Sequence, residues 1–254
     1  MNTYIFIITK EFFYRYFVTR HYYCYNIFYK VINKILIKNY IEPRDYANFD
    51  AEHMSHLEQV KQDKALGYLL FLQYNDVYTV GRFVQFSDDK FDIKILKSTR
   101  GGNITFHGKG QQVIYPIINI KKLGISLRQY IFILQESVSK YLASLGIESE
   151  KSINGPGIWI NKRKVCFVGV AISKGVSYHG LSININCLLN NFDKIDPCGD
   201  PDIKAGNVNE LIDIEKKKLI KELSAVLFKE LEDNSYYLKK NDISLKAESF
   251  ESEP

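Results

Sequence analysis

Residues 100–118, "RGGNITFHGKGQQVIYPII", carry the reading of the whole chain. The first eleven of them hold four glycines, one histidine and two cations. They run directly into "QVIYPII" at 112–118, an apolar segment with the composition of a strand. A tight turn needs one or two glycines. Four, with Thr105 and His107 among them, describe a backbone that must come very close to something. The spacing is neither G-x-G-x-x-G nor G-x-x-x-x-G-K-[ST], so the nucleotide-phosphate fingerprints do not fit. Two readings stay open here: a loop whose exposed N–H groups bind a substrate oxygen, or a hairpin loop with no ligand.

Outward from this stretch, strand-like and helix-like segments alternate. "YLLFLQY" (68–74) and "VYTVG" (77–81) read as strands around the turn dipeptide Asn75-Asp76. "GIWI" (157–160) and "KVCFVGVAI" (164–172) flank the polar turn Asn161-Lys162-Arg163 as a hairpin. "SYHGLSININ" (177–186), after Lys174-Gly175, adds a third strand to that meander. Three helices are expected. Residues 50–65 place Ala51, Met54, Leu57 and Val60 at helical spacing. A second helix is capped by Ser126 and ends before Gly146, with Leu127, Ile131, Leu134, Val138, Tyr141, Leu142 and Leu145 on one face. A third, near 209–232, puts Leu219, Ile220, Leu223, Val226, Leu227 and Leu231 on one side. Strands interleaved with helices and hairpins predict an α/β (α+β) fold, a mixed β-sheet flanked by helices, over residues 35–235. Residues 236–254 read as a loose polar tail.

The chain's 254 residues suffice for one sizeable domain with a full core. Its formal charge of +5 is unevenly placed. Residues 1–41 carry six cations and one acid, which leaves the remainder balanced at 28 of each. A nucleic-acid footprint on the body of the protein therefore loses its main support. Residues 1–34 are aromatic, basic and acid-poor, and contain no 18-residue uncharged run. That pattern argues against a spanning helix there and matches a targeting extension. A surface-bound aromatic helix, or an inaccurately defined start of the coding region, is the alternative. The four cysteines, Cys24, Cys166, Cys187 and Cys198, form no C-x-x-C pair and no zinc-type spacing, which fits a reduced compartment and no metal site.

Cys198 lies in "IDPCGDPD", where Pro197 stiffens the approach and Gly199 removes bulk behind it. A thiol presented on a loop near a cation is either a nucleophile or an inert loop cysteine. Cys166 sits in an apolar run and reads as core, while Cys187 ends a strand. Lys164 stands at the mouth of an apolar strand, where partial burial favours the neutral amine; a solvated hairpin lysine is the plain alternative. His107 and His179 each precede a glycine, and His179 is an accessory candidate beside the thiol.

Taken together, these motifs resemble the lipoyl(octanoyl) transferase family, also called LipB. The resemblance covers about residues 35–210 and rests on "RGGNITFHGKGQQVIYPI", "GPGIWINKRKVCFVGVAIS", "VSYHGLSININ" and "PCG", in the family's order and close to its spacing. It implies the fold of biotin and lipoate protein ligase catalytic domains. It also implies an acyltransferase that takes octanoyl from octanoyl-acyl carrier protein, holds it on Cys198, and passes it to the lysine of a lipoyl domain. The acceptors would be the E2 subunits of 2-oxoacid dehydrogenase complexes or the glycine cleavage H protein. Lys164 matches the lysine paired with that cysteine. The acyl-binding residues would be Arg100, Gly101, Gly102, Asn103, Ile104, Thr105, Phe106 and His107, with Phe167, Val168, Gly169, Gly180, Leu181 and Ser182. No cofactor is implied, nor a nucleic-acid or membrane partner, and a monomer is expected.

The chain departs from the family pattern at Gln73-Tyr74-Asn75, where relatives often have Glu-His-Pro, and at Cys187, where many have Asp. Two other functions remain open on these residues: an ATP-dependent lipoate or biotin protein ligase, and a non-catalytic module that binds carrier or lipoyl domains. The extension, with the abundance of Asn, Lys, Ile and Tyr, points to an organelle, plastid-type (apicoplast-like), or alternatively the mitochondrial matrix.

Overall fold

The computed structural model describes residues 34–85, 92–151, 155–196 and 202–253. Along them run β1 (Lys34–Tyr40), α1 (Tyr46–Lys61), β2 (Gly67–Leu72), β3 (Val77–Val80), β4 (Ile95–Lys97), β5 (Thr105–His107), β6 (Gln111–Ile118) and α2 (Leu127–Ser144). They are followed by β7 (Gly157–Ile160), β8 (Arg163–Ser173), β9 (Val176–Asn184), α3 (Lys216–Asn234), α4 (Tyr236–Lys240) and β10 (Lys246–Glu253). Seven strands form a sheet in the order β10-β1-β2-β6-β9-β8-β7, and β4-β3-β5 form a second, three-stranded sheet. β1 is parallel to β10 and β2, and the other neighbours in the large sheet are antiparallel. This is the mixed sheet flanked by helices that the sequence predicts.

Every residue of β6 and β9 is buried. Ile114, Ile118, Leu181 and Ile183 pack with Leu134 and Val138 of α2 and Leu223 and Leu227 of α3. Val113, Tyr115, Ile117 and Tyr178 belong to a second cluster with Tyr46, Phe49 and Leu57 of α1. Burial on both faces explains why these strands read as nearly unbroken apolar runs. The β7–β8–β9 meander forms as expected. Asn161 and Lys162 (φ +49 and +62) and Lys174 and Gly175 (φ +51 and +87) make two-residue turns with both φ positive, the hand that suits strand twist. Ser126 caps α2 in a capping box: its hydroxyl accepts from Gln129 N–H, and the Gln129 side chain accepts from Ser126 N–H.

Several elements differ from expectation. The buried face of α1 is Tyr46, Phe49, His53, His56, Leu57 and Val60, while Ala51 is exposed. Two histidines replace part of the stripe because aromatic neighbours cover them. α3 begins only at Lys216, after a short 3-10 turn at Val208–Glu210. The strands around Asn75-Asp76 both form but enter different sheets. Residues 236–253, read as a loose tail, supply α4 and the edge strand β10, with Leu238, Ile243 and Leu245 buried in the main core. The extension at 1–33 lies outside the described residues.

Candidate active site

Strand alternation divides the small sheet into two faces. Tyr78, Val80 and Phe106 enter a cluster with Phe167, Phe192 and Ile195. Thr79, Thr105 and His107 face the other way. Arg100 fills that side: its guanidinium donates to Thr79 Oγ1 (2.9 Å) and to the Gly101 carbonyl (2.9 Å). Gly101 N–H in turn donates to Val170 O (3.1 Å), which ties the glycine loop to β8. Gly102 adopts φ +82, a conformation that suits glycine.

The loop, β8 and β9 line a half-open cleft. Residues 100–105, 107, 167–169 and 179–182 all line it, so the structure brings the predicted binding segments together. Phe106 is the exception. It lies between Thr105 and His107 on a three-residue strand, so alternation sends its ring into the cluster behind the sheet. Val113 and Tyr115 of β6 also line the cleft and were not anticipated. The alternation of the strand that follows the glycine loop was the signal for them.

His107 is held rigidly. Its Nδ1–H donates to Gln111 Oε1 (2.6 Å), and Gln111 Nε2 donates to Asn184 Oδ1 (2.9 Å) and to Phe106 O (3.2 Å). Burial pushes its pKa down to about 4, and the Arg100 charge adds to that, against the Gln111 bond. The ring is therefore neutral near pH 7, with Nε2 left as an acceptor. Tyr74 is buried, its ring 5.7 Å from that of His107, and donates to the Tyr115 hydroxyl (3.2 Å). Gln73 Oε1 accepts from Gly110 N–H (3.1 Å). His179 takes φ +56, and its Nε2 lies 2.8 Å from Thr99 Oγ1. Burial, with nearby His53 and Arg100, holds its pKa well below the usual histidine range.

Lys164 is fully buried, not solvated. Its Nζ lies 4.5 Å from the Trp159 ring centre and 5.1 Å from that of Phe167, which lines the cleft. A Cβ on Gly157 would stand 2.4 Å from Lys164 Cε, so the lysine occupies space that only glycine leaves. Lys164 N–H donates to Lys204 O (2.8 Å), and Lys164 O accepts from Gly206 N–H (3.0 Å). Cys198 lies outside the described residues. The chain before it is anchored by Ile195 in the Phe167 cluster, and the chain after it by Ala205, bridged to Lys164. Burial pushes the Cys166 thiol up to about 12, as suits a core residue. Cys187 is also buried and pushed to about 12, and its backbone N–H and C=O are both bonded by the Asn207 side chain.

A family model described as "Lipoyl protein ligase A/B catalytic domain" matches residues 45–245. An octanoyltransferase of Escherichia coli O139:H28 is 33% identical over 151 residues, 59% of this chain and 71% of that one. The chain belongs to the lipoyl(octanoyl) transferase family, whose members are acyltransferases. An octanoyltransferase of Wigglesworthia glossinidia brevipalpis is 39% identical over 142 residues, 56% of this chain and 66% of that one, a little under two thirds of its length. Among solved structures, a lipoate-protein ligase A bound with ATP aligns with TM-score 0.57 at 14% identity, covering 87% of this chain and 89% of its own. A bi-partite lipoate protein ligase of Thermoplasma acidophilum, described with its E2 lipoyl domain, aligns with TM-score 0.56 at 15% identity over 87% and 88%. At such identities these two likenesses speak for the fold alone.

Proposed function

We propose that this protein transfers octanoyl from octanoyl-acyl carrier protein to the lipoyl-domain lysine of lipoate-dependent enzymes through a thioester on Cys198. This is the first step of endogenous lipoate assembly. The observation that supports it most is the contact of buried Lys164 with the ring of Phe167 (Nζ 5.1 Å from its centre), a residue that lines the cleft. Along β8 and β9 the lining runs from the pair Phe167↔Ser182 to Gly169↔Gly180 and on to His179. At about 3.3 Å per residue these three steps span roughly 10 Å, the length of an extended medium-chain acyl group. Phe167, beside Lys164, marks the reacting end.

In the first half-reaction the Cys198 sulfur bonds the octanoyl carbonyl carbon. The C–S bond to the carrier's phosphopantetheine breaks, and the departing thiolate takes the proton that Cys198 gave up. In the second, the acceptor amine bonds that carbon, the C–S bond to Cys198 breaks, and an amine proton returns to the cysteine. Lys164 stabilises the thiolate and holds the proton between these events. Thioester exchange is nearly isoenergetic and amide formation from a thioester runs downhill, so the reaction balances without a nucleotide. The acceptors are the E2 lipoyl domains or the glycine cleavage H protein.

Intact-mass measurement after incubation with octanoyl-carrier protein tests this. One added octanoyl group is expected, and none in Cys198→Ala. No adduct, with activity instead on free octanoate and ATP, would establish a ligase; neither outcome would leave a binding module. Lys164→Ala is expected to slow both half-reactions about 100-fold or more and to move the pH profile of thiol alkylation upward. An unchanged profile removes the lysine from the mechanism. For residues 1–34 the corresponding proposal is targeting to a plastid-type organelle or a mitochondrion. A fluorescent fusion of residues 1–45 that stays in the cytosol would refute it.

A further inference from the structure

We infer that His53 is a positioning residue that holds the His179 ring as the end wall of the cleft, and so sets the length of acyl chain admitted. The inference rests on the acyl-transfer reading above. Its starting point is the backbone of His179. A non-glycine residue at φ +56 inside a strand is uncommon and needs support from its surroundings.

The cause lies in the neighbouring strand. β6 and β9 pair regularly from Gln111↔Asn184 to Ile114↔Leu181. Carried two residues further, this register sets Pro116 opposite His179. Proline has no N–H to give, and the Pro116 carbonyl is taken by the Tyr130 hydroxyl (2.8 Å) and by Ser177 Oγ (3.0 Å). The His179 N–H therefore leaves the ladder and donates to His53 Nε2 on α1 (3.2 Å). Gly180 completes the device: a Cβ there would stand 2.3 Å from Ile114 O and 2.5 Å from Pro116 Cδ.

The positive φ changes the side to which His179 points. By strict alternation it would share the face of Leu181 and Ile183, which pack toward α2 and α3. Instead its ring lies 4.8 Å from His53, 4.9 Å from Tyr178 and 5.7 Å from Tyr115, on the α1 side. There it is the last residue of β9 to line the cleft, and its pairing partner Val170 does not line it. Thr99 Oγ1 at Nε2 fixes the ring's rotation, and Nδ1, buried, has no hydrogen-bond partner. With its rotation fixed, the His179 ring blocks the far end of the apolar channel, and a longer hydrocarbon chain would have to displace it from packed surroundings. His53 itself is kept neutral by burial, with a pKa down to about 3, so its Nε2 stays an acceptor.

The test is the chain-length profile. Acyl-enzyme formation is followed by intact mass with octanoyl-, decanoyl- and dodecanoyl-carrier protein. His53→Leu and His179→Gly are expected to raise the dodecanoyl-to-octanoyl rate ratio about tenfold or more, and His53→Gln, whose side-chain carbonyl can accept the same N–H, to keep the parental ratio. His179→Gly adopts the left-handed turn without strain, so it keeps the test open if His53→Leu fails to fold. An equal loss at all three lengths, or an unchanged ratio in His179→Gly, overturns the inference. Should the unaltered protein form no acyl-enzyme, the acyl-transfer reading fails by itself. The length limit is then read from binding of free eight- to fourteen-carbon fatty acids to Cys198→Ala, where an unchanged profile in His179→Gly again overturns it.

Discussion

His107 and His179 sit in similar local sequences, Phe106-His107-Gly108 and Tyr178-His179-Gly180, and both line the cleft. His107 keeps strand geometry, and its position is set by what its ring touches, the Gln111–Asn184 amide chain. His179 abandons strand geometry, and its position is set by what its backbone N–H touches, His53. One histidine is aimed by side-chain bonds within an ordinary strand. The other is aimed by rerouting the main chain, with a proline across the sheet as the cause. Damage behind His107 should therefore loosen a ring, whereas damage behind His179 should deform the sheet.

The glycines that follow them give the largest test of this contrast. In Gly180→Ala the new methyl meets the Ile114 backbone and the Pro116 ring, and a loss of more than about 3 kcal/mol is expected by urea denaturation. In Gly108→Ala it meets the Phe106 ring (2.5 Å) and Asp76 Oδ1 (2.6 Å), both side chains, and about 1–3 kcal/mol is expected. Equal losses would erase the distinction. Next in size is Gln111→Leu, which strips His107 Nδ1, Asn184 Oδ1 and Phe106 O of a partner at once. About 2–3 kcal/mol should be lost, with the β9 amides around His179 keeping their hydrogen-exchange protection. Protection lost equally at both histidines would show that they form one unit.

The contrast also has a reading in acid. Burial lowers His107 from 6.5 to about 4, so between those values the unfolded chain binds a proton that the native state does not. Stability contributed by this group is full above pH 6.5 and drains away as the pH falls toward 4, at up to about 1.4 kcal/mol per pH unit. His53 and His179 add slope of the same sign. His107→Gln should remove close to one proton from the slope of stability against pH. An unaltered slope would mean that the His107 ring is not held neutral.

The interior strands were legible in the sequence because burial on both faces gives unbroken apolar runs, and the meander because its turns fall at Asn161-Lys162 and Lys174-Gly175. The cleft's lining was legible only through motifs that pair glycine with histidine. Phe106 enters it through the resemblance, which carries over the whole segment 100–107, whereas strand alternation turns its ring away. β1 escaped notice inside a basic, aromatic run, and β10, "KAESFESE", has a polar composition that marks no strand. His53 was invisible for another reason: a histidine on an otherwise polar helix has no periodic signature, and its role arises only where α1 crosses β9.

The pairing of β1 with β10 has a consequence for how the chain is made. Lys34 is in register with Lys246 and Tyr40 with Glu253, so one flank of the first described strand is satisfied by the last. During synthesis β1 emerges well before β10, and this edge stays unpaired until β10 follows. Ile35 and Ile37, buried in the finished core, stand on that open edge meanwhile. Until β10 arrives, that edge is open to joining the wrong strand.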